Sequence, residues 1–204
     1  MITDRIDAIT KIGPDYLGEV LPAPRSVKIE ITATCNYACT FCTKSIHPDT
    51  GNMDRAFYSR IIREMRDAGV VELGVFYIGE SFTCEWLPEA IAEAKAVGFP
   101  YVFLTTNGSA ATPERVKACM DAGLDSLKFS LNFHSAAQLE EVARVSPKYW
   151  RKSIDNLKIA RSIRDEWGYK CGIYASSIKF DGAQGQAMQD VVDEVRCAVD
   201  EHYW

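Results

Sequence analysis

The segment SLKFSLN, residues 126–132, decides the fold. In an extended chain successive side chains point to opposite faces. Leu127, Phe129 and Leu131 therefore share one face, and Ser126, Lys128, Ser130 and Asn132 the other. A strand covered by helices on both faces is apolar on both. Lysine, serine and asparagine on the second face instead suit a curved sheet wrapped around a polar interior. Barrels of that kind carry their ligands at the C-terminal ends of the strands.

Working outward, residues 27–32 (VKIEIT) alternate with the same period of two, and residues 73–78, 101–105 and 169–176 read as further strands. Helical stretches separate them. Asp54 caps a helix whose Phe57, Ile61, Ile62 and Met65 share a face, and Gly69 ends it. Pro88 opens a second helix that runs to Val97 before Gly98. Thr112 and Pro113 open a third, closed by Gly123. Two helical pieces, 135–145 and 147–166, break at Pro147, and a last helix over 184–200 offers Val191, Val192, Val195 and Val199 for burial. Five strand–helix units in succession predict an α/β fold with parallel strands and right-handed crossovers. Combined with the polar face of the fourth strand, this is a partial (β/α) barrel with a curved parallel sheet. Residues 1–26 form a separate lead-in, a helix over 3–11 and a connector punctuated by Pro14, Pro22 and Pro24, and residues 27–204 form the core domain.

Composition narrows the class. The 204 residues are 47% hydrophobic, enough for one sizeable core, and carry a net charge of −5. That balance lacks the basic footprint expected of a nucleic-acid binder. The first residues include Asp4, Arg5 and Asp7 with no signal-like apolar run, and no stretch reaches the roughly 20 apolar residues of a membrane span. The chain reads as cytoplasmic. There a cluster of cysteines signals metal or redox chemistry rather than a disulfide framework.

Such a cluster follows the first strand: Cys35-Asn-Tyr-Ala-Cys39-Thr-Phe-Cys42. Thiolates are soft, strong donors for iron–sulfur clusters. Spacings of three and two residues let one loop wrap three corners of a cubane. With no fourth cysteine nearby, one iron stays open to a cofactor or substrate, as in catalytic metal sites generally. Two other readings remain: an iron–sulfur electron carrier without chemistry of its own, and a zinc knot that borrows a fourth ligand such as His47. Cys119, Cys171 and Cys197 read as packing residues. Cys84 follows the second strand closely enough to lie near the same face.

The Cys-x3-Cys-x2-Cys loop, with an aromatic before its last cysteine, resembles the radical S-adenosylmethionine (SAM) superfamily. The run IEITATCNYACTFC is similar to the branch of molybdenum-cofactor enzymes and of proteins with additional C-terminal cluster domains. The resemblance spans about residues 27–200. It implies a [4Fe–4S] cluster on Cys35, Cys39 and Cys42, whose open iron chelates SAM, and a 5′-deoxyadenosyl radical that abstracts hydrogen from a substrate. It further implies that Gly79 and Glu80, at the family's Gly-Gly-Glu position, receive the SAM ammonium, although Ile78 and Ser81 depart from the usual residues. Thr105-Thr106-Asn107-Gly108, at the end of the third strand, matches the family's Thr-Asn-Gly, and Thr105 or Asn107 would face the cavity at the strand ends. Ser130 and Asn132 would contact the ribose or carboxylate, and Phe41 and Ile173 the adenine. Lys128 would meet the SAM carboxylate, the substrate or a salt-bridge partner deeper in the barrel. Relatives act on peptides, nucleotides and sugars, and a flavodoxin or ferredoxin would supply the electron.

The family's partial barrel usually has six β/α units, and the sequence shows five. The expectation is a core that stops before its sixth unit and leaves the fifth strand as an open edge beside His202, Tyr203 and Trp204.

Overall fold

The computed structural model of the chain describes residues 1–46 and 50–204. His47, the residue that could complete a zinc knot, lies outside them. Six parallel strands stand side by side in chain order: β1 (Ser26–Lys28), β2 (Glu72–Gly74), β3 (Tyr101–Thr106), β4 (Ser126–Ser130), β5 (Gly172–Ser176) and β6 (Glu201–Tyr203). Each parallel step needs a crossover, and helices supply them: α2 (Arg55–Asp67), α3 (Leu87–Val97), α4 (Pro113–Asp121), the pair α5 (Ala136–Ala143) and α6 (Lys148–Trp167), and α7 (Gly182–Val195). A helix α1 (Ile2–Thr10) precedes the sheet. The sheet is an open, partial barrel.

The helix boundaries follow the local chemistry. Asp54 Oδ1 accepts from the Phe57 amide at 2.8 Å, which satisfies one donor at the start of α2. Ser135 caps α5 by accepting from Gln138 at 3.2 Å. Gly98 ends α3 at φ 100°, a left-handed conformation that costs glycine nothing.

The two faces of β4 separate as its alternation requires. Leu127 and Phe129 are fully buried in the main core under the helices, together with Leu73, Val102, Leu104, Ile173 and Ala175. Lys128 and Ser130 point to the concave side. Register carries the pattern across the sheet: Lys128 stands beside Thr105 on one side and Tyr174 on the other, and Ser130 beside Ser176.

The strand count differs from expectation. Residues 201–203 pair in parallel with β5, Glu201 beside Tyr174 and Tyr203 beside Ser176, so the fifth strand is not an open edge. The sequence hides this strand because EHY has no apolar alternation of its own. The last helix is correspondingly shorter than 184–200, ending at Val195 before a short turn over Arg196–Ala198. Trp204 packs edge-on against His202, ring centroids 5.1 Å apart.

α1 lies across the starts of the strands. Glu201 accepts from the Ile2 amide and the Thr3 hydroxyl, both at 2.6 Å, and Arg5 pairs with Glu72 while its guanidinium stacks on the Tyr101 ring. One helix thus ties β6 to β2 and β3 at the N-terminal end of the sheet, leaving the C-terminal end for the site.

Candidate cofactor site

The cysteine loop is an excursion from the tail of β1, fastened at both feet. Beyond the ladder, Thr32 bridges Asn52 in antiparallel fashion, Met53 N donates to Ile31 O at 2.9 Å, and Ala33 N to Gly51 O at 2.9 Å. Its middle is pinned to the end of α5, where Ala38 N donates to Ala143 O (2.9 Å) and Thr40 N to Val142 O (3.0 Å). Those carbonyls face the loop at a helix end closed by Arg144 in the left-handed region, the one non-glycine residue described there. Beneath the loop Tyr37 is buried against Phe133, Leu139 and Ala143, with Cys35 and Cys39 at the margin of the same cluster. Tyr37 also meets Ser153 Oγ at 3.3 Å. Each such bond contributes about 1 kcal/mol, so several together hold a loop whose one regular element among the described residues is a single 3-10 turn, Thr43–Ser45.

Cys35, Cys39 and Cys42 are half-buried. Burial pushes the Cys39 thiol up to about 12, with Cys35 and Cys42 raising it further, so the three sulfurs sense one another. Burial also raises Cys35, while Lys44 works the other way. The Lys44 ammonium is buried and has no hydrogen-bonding partner among the described residues. Soft thiols with an orphaned cation beside them fit an anionic iron–sulfur cluster, because a buried charge requires compensation. Among the described residues no group of His, Cys, Asp or Glu stands ready as a single-ion site. Cys84, Cys119 and Cys171 are buried in the main core.

The tip of β2 approaches the loop closely. A Cβ on Gly79 would overlap the Thr32 carbonyl oxygen and sit 3.0 Å from Thr34 O, so only glycine fits. Glu30, two residues beyond the end of β1, accepts from the amides of Ile78 (3.0 Å) and Gly79 (2.9 Å). Glu80 is not an exposed loop carboxylate. It is 3% exposed and accepts from Thr106 Oγ1 and the Asn107 amide, each at 2.7 Å, and from Phe82 N at 3.1 Å. Burial raises its pKa against the pull of those donors. An ionised carboxylate accepts about four bonds, which leaves one position.

The remaining sequence-derived residues divide. Asn107, Ser130 and Asn132 line one small cavity of about 20 Å³ with Tyr37 and Phe133. Asn107 Nδ2 also donates to Asn36 Oδ1 at 2.9 Å, and Asn36 donates to Ser109 Oγ at 2.8 Å, joining the cysteine loop to the tail of β3. Phe41 is 54% exposed on the rim, its ring 6.3 Å from Phe133. Thr105 faces the large concave cavity, and the threonine that meets Glu80 is Thr106. Ile173 is a correction. It pairs with Leu127 and is fully buried behind the sheet, on the helix side, so it does not reach the concave face. Lys128 has no carboxylate partner among the described residues and lies 5.4 Å from the centre of the Tyr203 ring.

Sequence reasoning missed Glu30, Thr106, Asn36 and Tyr37. Glu30 carried a signal, being a polar residue in an alternating run. Thr106 carried one as the threonine before Asn107-Gly108, but its parity with Val102 and Leu104 points to the core face, and sequence reasoning takes Thr105 instead.

An open parallel half-barrel with a three-thiol loop over its strand tips defines a class of cofactor-dependent α/β proteins. Within that class, the Radical SAM superfamily model matches residues 29–168, and the chain belongs to this family. It is 30% identical over 131 residues to a PqqA peptide cyclase of Methylocella silvestris, covering 63% of this chain and 35% of that protein. A GTP 3′,8-cyclase of Chlorobaculum tepidum is 32% identical over 120 residues, 58% of this chain and 36% of that protein. The match thus spans about a third of the length of these relatives. Among solved structures, Streptococcus suis SuiB bound to S-adenosylmethionine superposes with a TM-score of 0.68 at 20% identity, covering 90% of this chain and 40% of that one. That likeness concerns the fold.

Proposed function

We propose that Cys35, Cys39 and Cys42 hold a [4Fe–4S] cluster, that SAM binds across the strand tips beside it, and that a substrate on the concave face loses a hydrogen atom. The observation that carries this is the three-thiol loop, pinned at both feet and at its middle, with the Lys44 ammonium, which has no hydrogen-bonding partner among the described residues, acting on Cys35. When bound, the cluster and SAM supply the one-electron cleavage and the hydrogen-abstracting power, and the chain's residues hold, orient and shield them.

The open position left by three cysteines is where SAM's amino and carboxylate groups attach. Gly79 lets the backbone at the tip of β2 come close to the loop, and Glu30 fixes the direction of the 78 and 79 amides. Glu80 offers its remaining acceptor position to the SAM ammonium while bracing Asn107. Asn107, Ser130 and Asn132 provide polar groups for the ribose and carboxylate, and Phe41 an apolar wall on the rim for the adenine. Tyr37, Phe133 and Leu139 exclude water from below.

The substrate is a peptide or a nucleotide, in keeping with the relatives named PqqA peptide cyclase and GTP 3′,8-cyclase, or a sugar. A flavodoxin or ferredoxin supplies the electron, and the setting is the cytoplasm; no helix among the described residues is long and apolar enough to cross a membrane. The test is anaerobic reconstitution followed by a SAM-cleavage assay. Methionine and 5′-deoxyadenosine formed only with a reductant support the reading; a colourless zinc protein, or a cluster protein that leaves SAM intact, overturns it.

A further inference from the structure

The concave face encloses a cavity of about 550 Å³, within the range of ligand sites. Its floor is α1, through Ile2, Ile6 and Ile9, and its walls are largely aromatic: Phe76, Tyr101, Phe103 and Tyr203. Its charge is unlike that of the molecule. The whole chain carries −5, yet five basic side chains line this cavity, Arg5, Lys11, Arg25, Lys28 and Lys128, against one acidic residue, Glu72.

That one carboxylate is already taken by Arg5, and Arg25 donates to the Lys11 carbonyl. Glu30 lies two residues after Lys28, beyond the end of β1, and its Oε1 is held by the Ile78 and Gly79 amides. Among the described residues Lys28 and Lys128 therefore have no ion-pair partner. Each ammonium has an aromatic ring near it instead, Phe76 at 5.3 Å and Tyr203 at 5.4 Å. Burial, and then Lys28 itself, hold the Lys128 ammonium below its usual range. Lys28 is exposed at the mouth of this space, whereas Lys128 is partly buried in it, and a second like charge nearby makes the Lys128 ammonium costly unless something negative joins the pair.

We infer that Lys28 and Lys128 form an anion-binding site for the substrate, which is a molecule bearing a carboxylate or phosphate on a flat or apolar body. The inference deepens the proposed function, since it rests on the substrate occupying the concave face. The two ammonium groups take the anion as point charges, while Phe76, Phe103 and Tyr203 flank the body. Anchored there, mid-strand, the substrate directs its far end toward the strand tips. An opposite charge in reach of both lysines also offsets their mutual repulsion.

The test uses two anionic probes, phenyl phosphate and phenylacetate, and the neutral benzyl alcohol. Their binding to the full chain is followed by calorimetry and saturation-transfer NMR, with and without SAM. At least one anion is expected to bind saturably and at least tenfold more tightly than the alcohol, and the anion that wins tells phosphate from carboxylate. Lys28→Met and Lys128→Met should each weaken it at least tenfold. Lys128→Arg should retain it, as should the surface control Lys117→Met, and circular dichroism confirms that each variant folds. Absence of saturable anion binding, an alcohol that binds equally well, or unchanged affinity in both methionine variants overturns the inference. A chain that binds the anion but never cleaves SAM overturns the radical reading alone, so the two failures are distinguishable.

Discussion

Glu80→Gln is expected to loosen the fold at the site as well as SAM binding. The carboxylate accepts three bonds, from Thr106 Oγ1, the Asn107 amide and the Phe82 amide. Glutamine keeps one acceptor oxygen. Placed where it serves Thr106 and Phe82, it turns its NH₂ toward the Asn107 amide, so a bond to a charged acceptor is lost, about 1.5–3 kcal/mol, and buried donors are stranded at about 1–3 kcal/mol more. The neutral side chain recovers part of this, because burial already disfavours the ionised form. The net loss is about 2–4 kcal/mol. Urea unfolding reads it directly: with a slope of about 2 kcal/mol/M, the midpoint falls by about 1–2 M. SAM affinity, measured in parallel, falls too, since Asn107 loses its anchor. An unchanged midpoint with weakened SAM binding would refute the bracing role and leave Glu80 as a ligand contact alone. An unchanged value of both would remove it from the site.

Two further outcomes follow from the geometry. Gly79→Ala drives a methyl into the Thr32 carbonyl, and overpacking of that kind costs about 1–3 kcal/mol; thermal unfolding should show the loss, and wild-type stability in this variant would contradict the close approach of β2 to the cysteine loop. His202, on β6 and 2.9 Å from Ser177 Oγ, has its pKa lowered by burial and by Arg196. A histidine with a depressed folded-state pKa leaves stability intact above its unfolded value and erodes it as pH falls from there toward the folded value, because the unfolded chain binds the proton first. Stability should therefore drop on acidification through the ordinary histidine range, and His202→Gln should flatten that slope; an identical pH profile in the variant would contradict it.

The parts of this architecture that are legible in the sequence are those whose signal is local. The alternation of residues 126–132 assigns both faces of β4, and the spacing of Cys35, Cys39 and Cys42 announces a ligand loop before any coordinates. Asp54 and Gly98 act where their chemistry says they should. Long-range pairing is less legible. β6 is a strand only because Tyr174, Ala175 and Ser176 offer it a partner, and three residues of mixed polarity do not advertise that. Resemblance sets Ile173 against the adenine, although the parity it shares with Ala175 sends both to the core under the helices. Glu80 is legible as a special carboxylate but not as a buried one, because two of its donors come from the end of β3, 26 and 27 residues away in the chain. The cavity charge is invisible for the same reason: Lys28 and Lys128 are 100 positions apart and meet only through the curvature of the sheet.

The central claim is tested most directly by reconstituting the wild type and the Cys35→Ala/Cys39→Ala/Cys42→Ala variant side by side under anaerobic conditions. Iron, sulfide, visible absorption and 5′-deoxyadenosine are then measured after addition of SAM and a low-potential reductant. The account predicts about four irons per chain, a broad charge-transfer band and 5′-deoxyadenosine from the wild type, and none of these from the triple variant. A variant that still assembles the cluster, or a wild type that takes up zinc and leaves SAM whole, would contradict it.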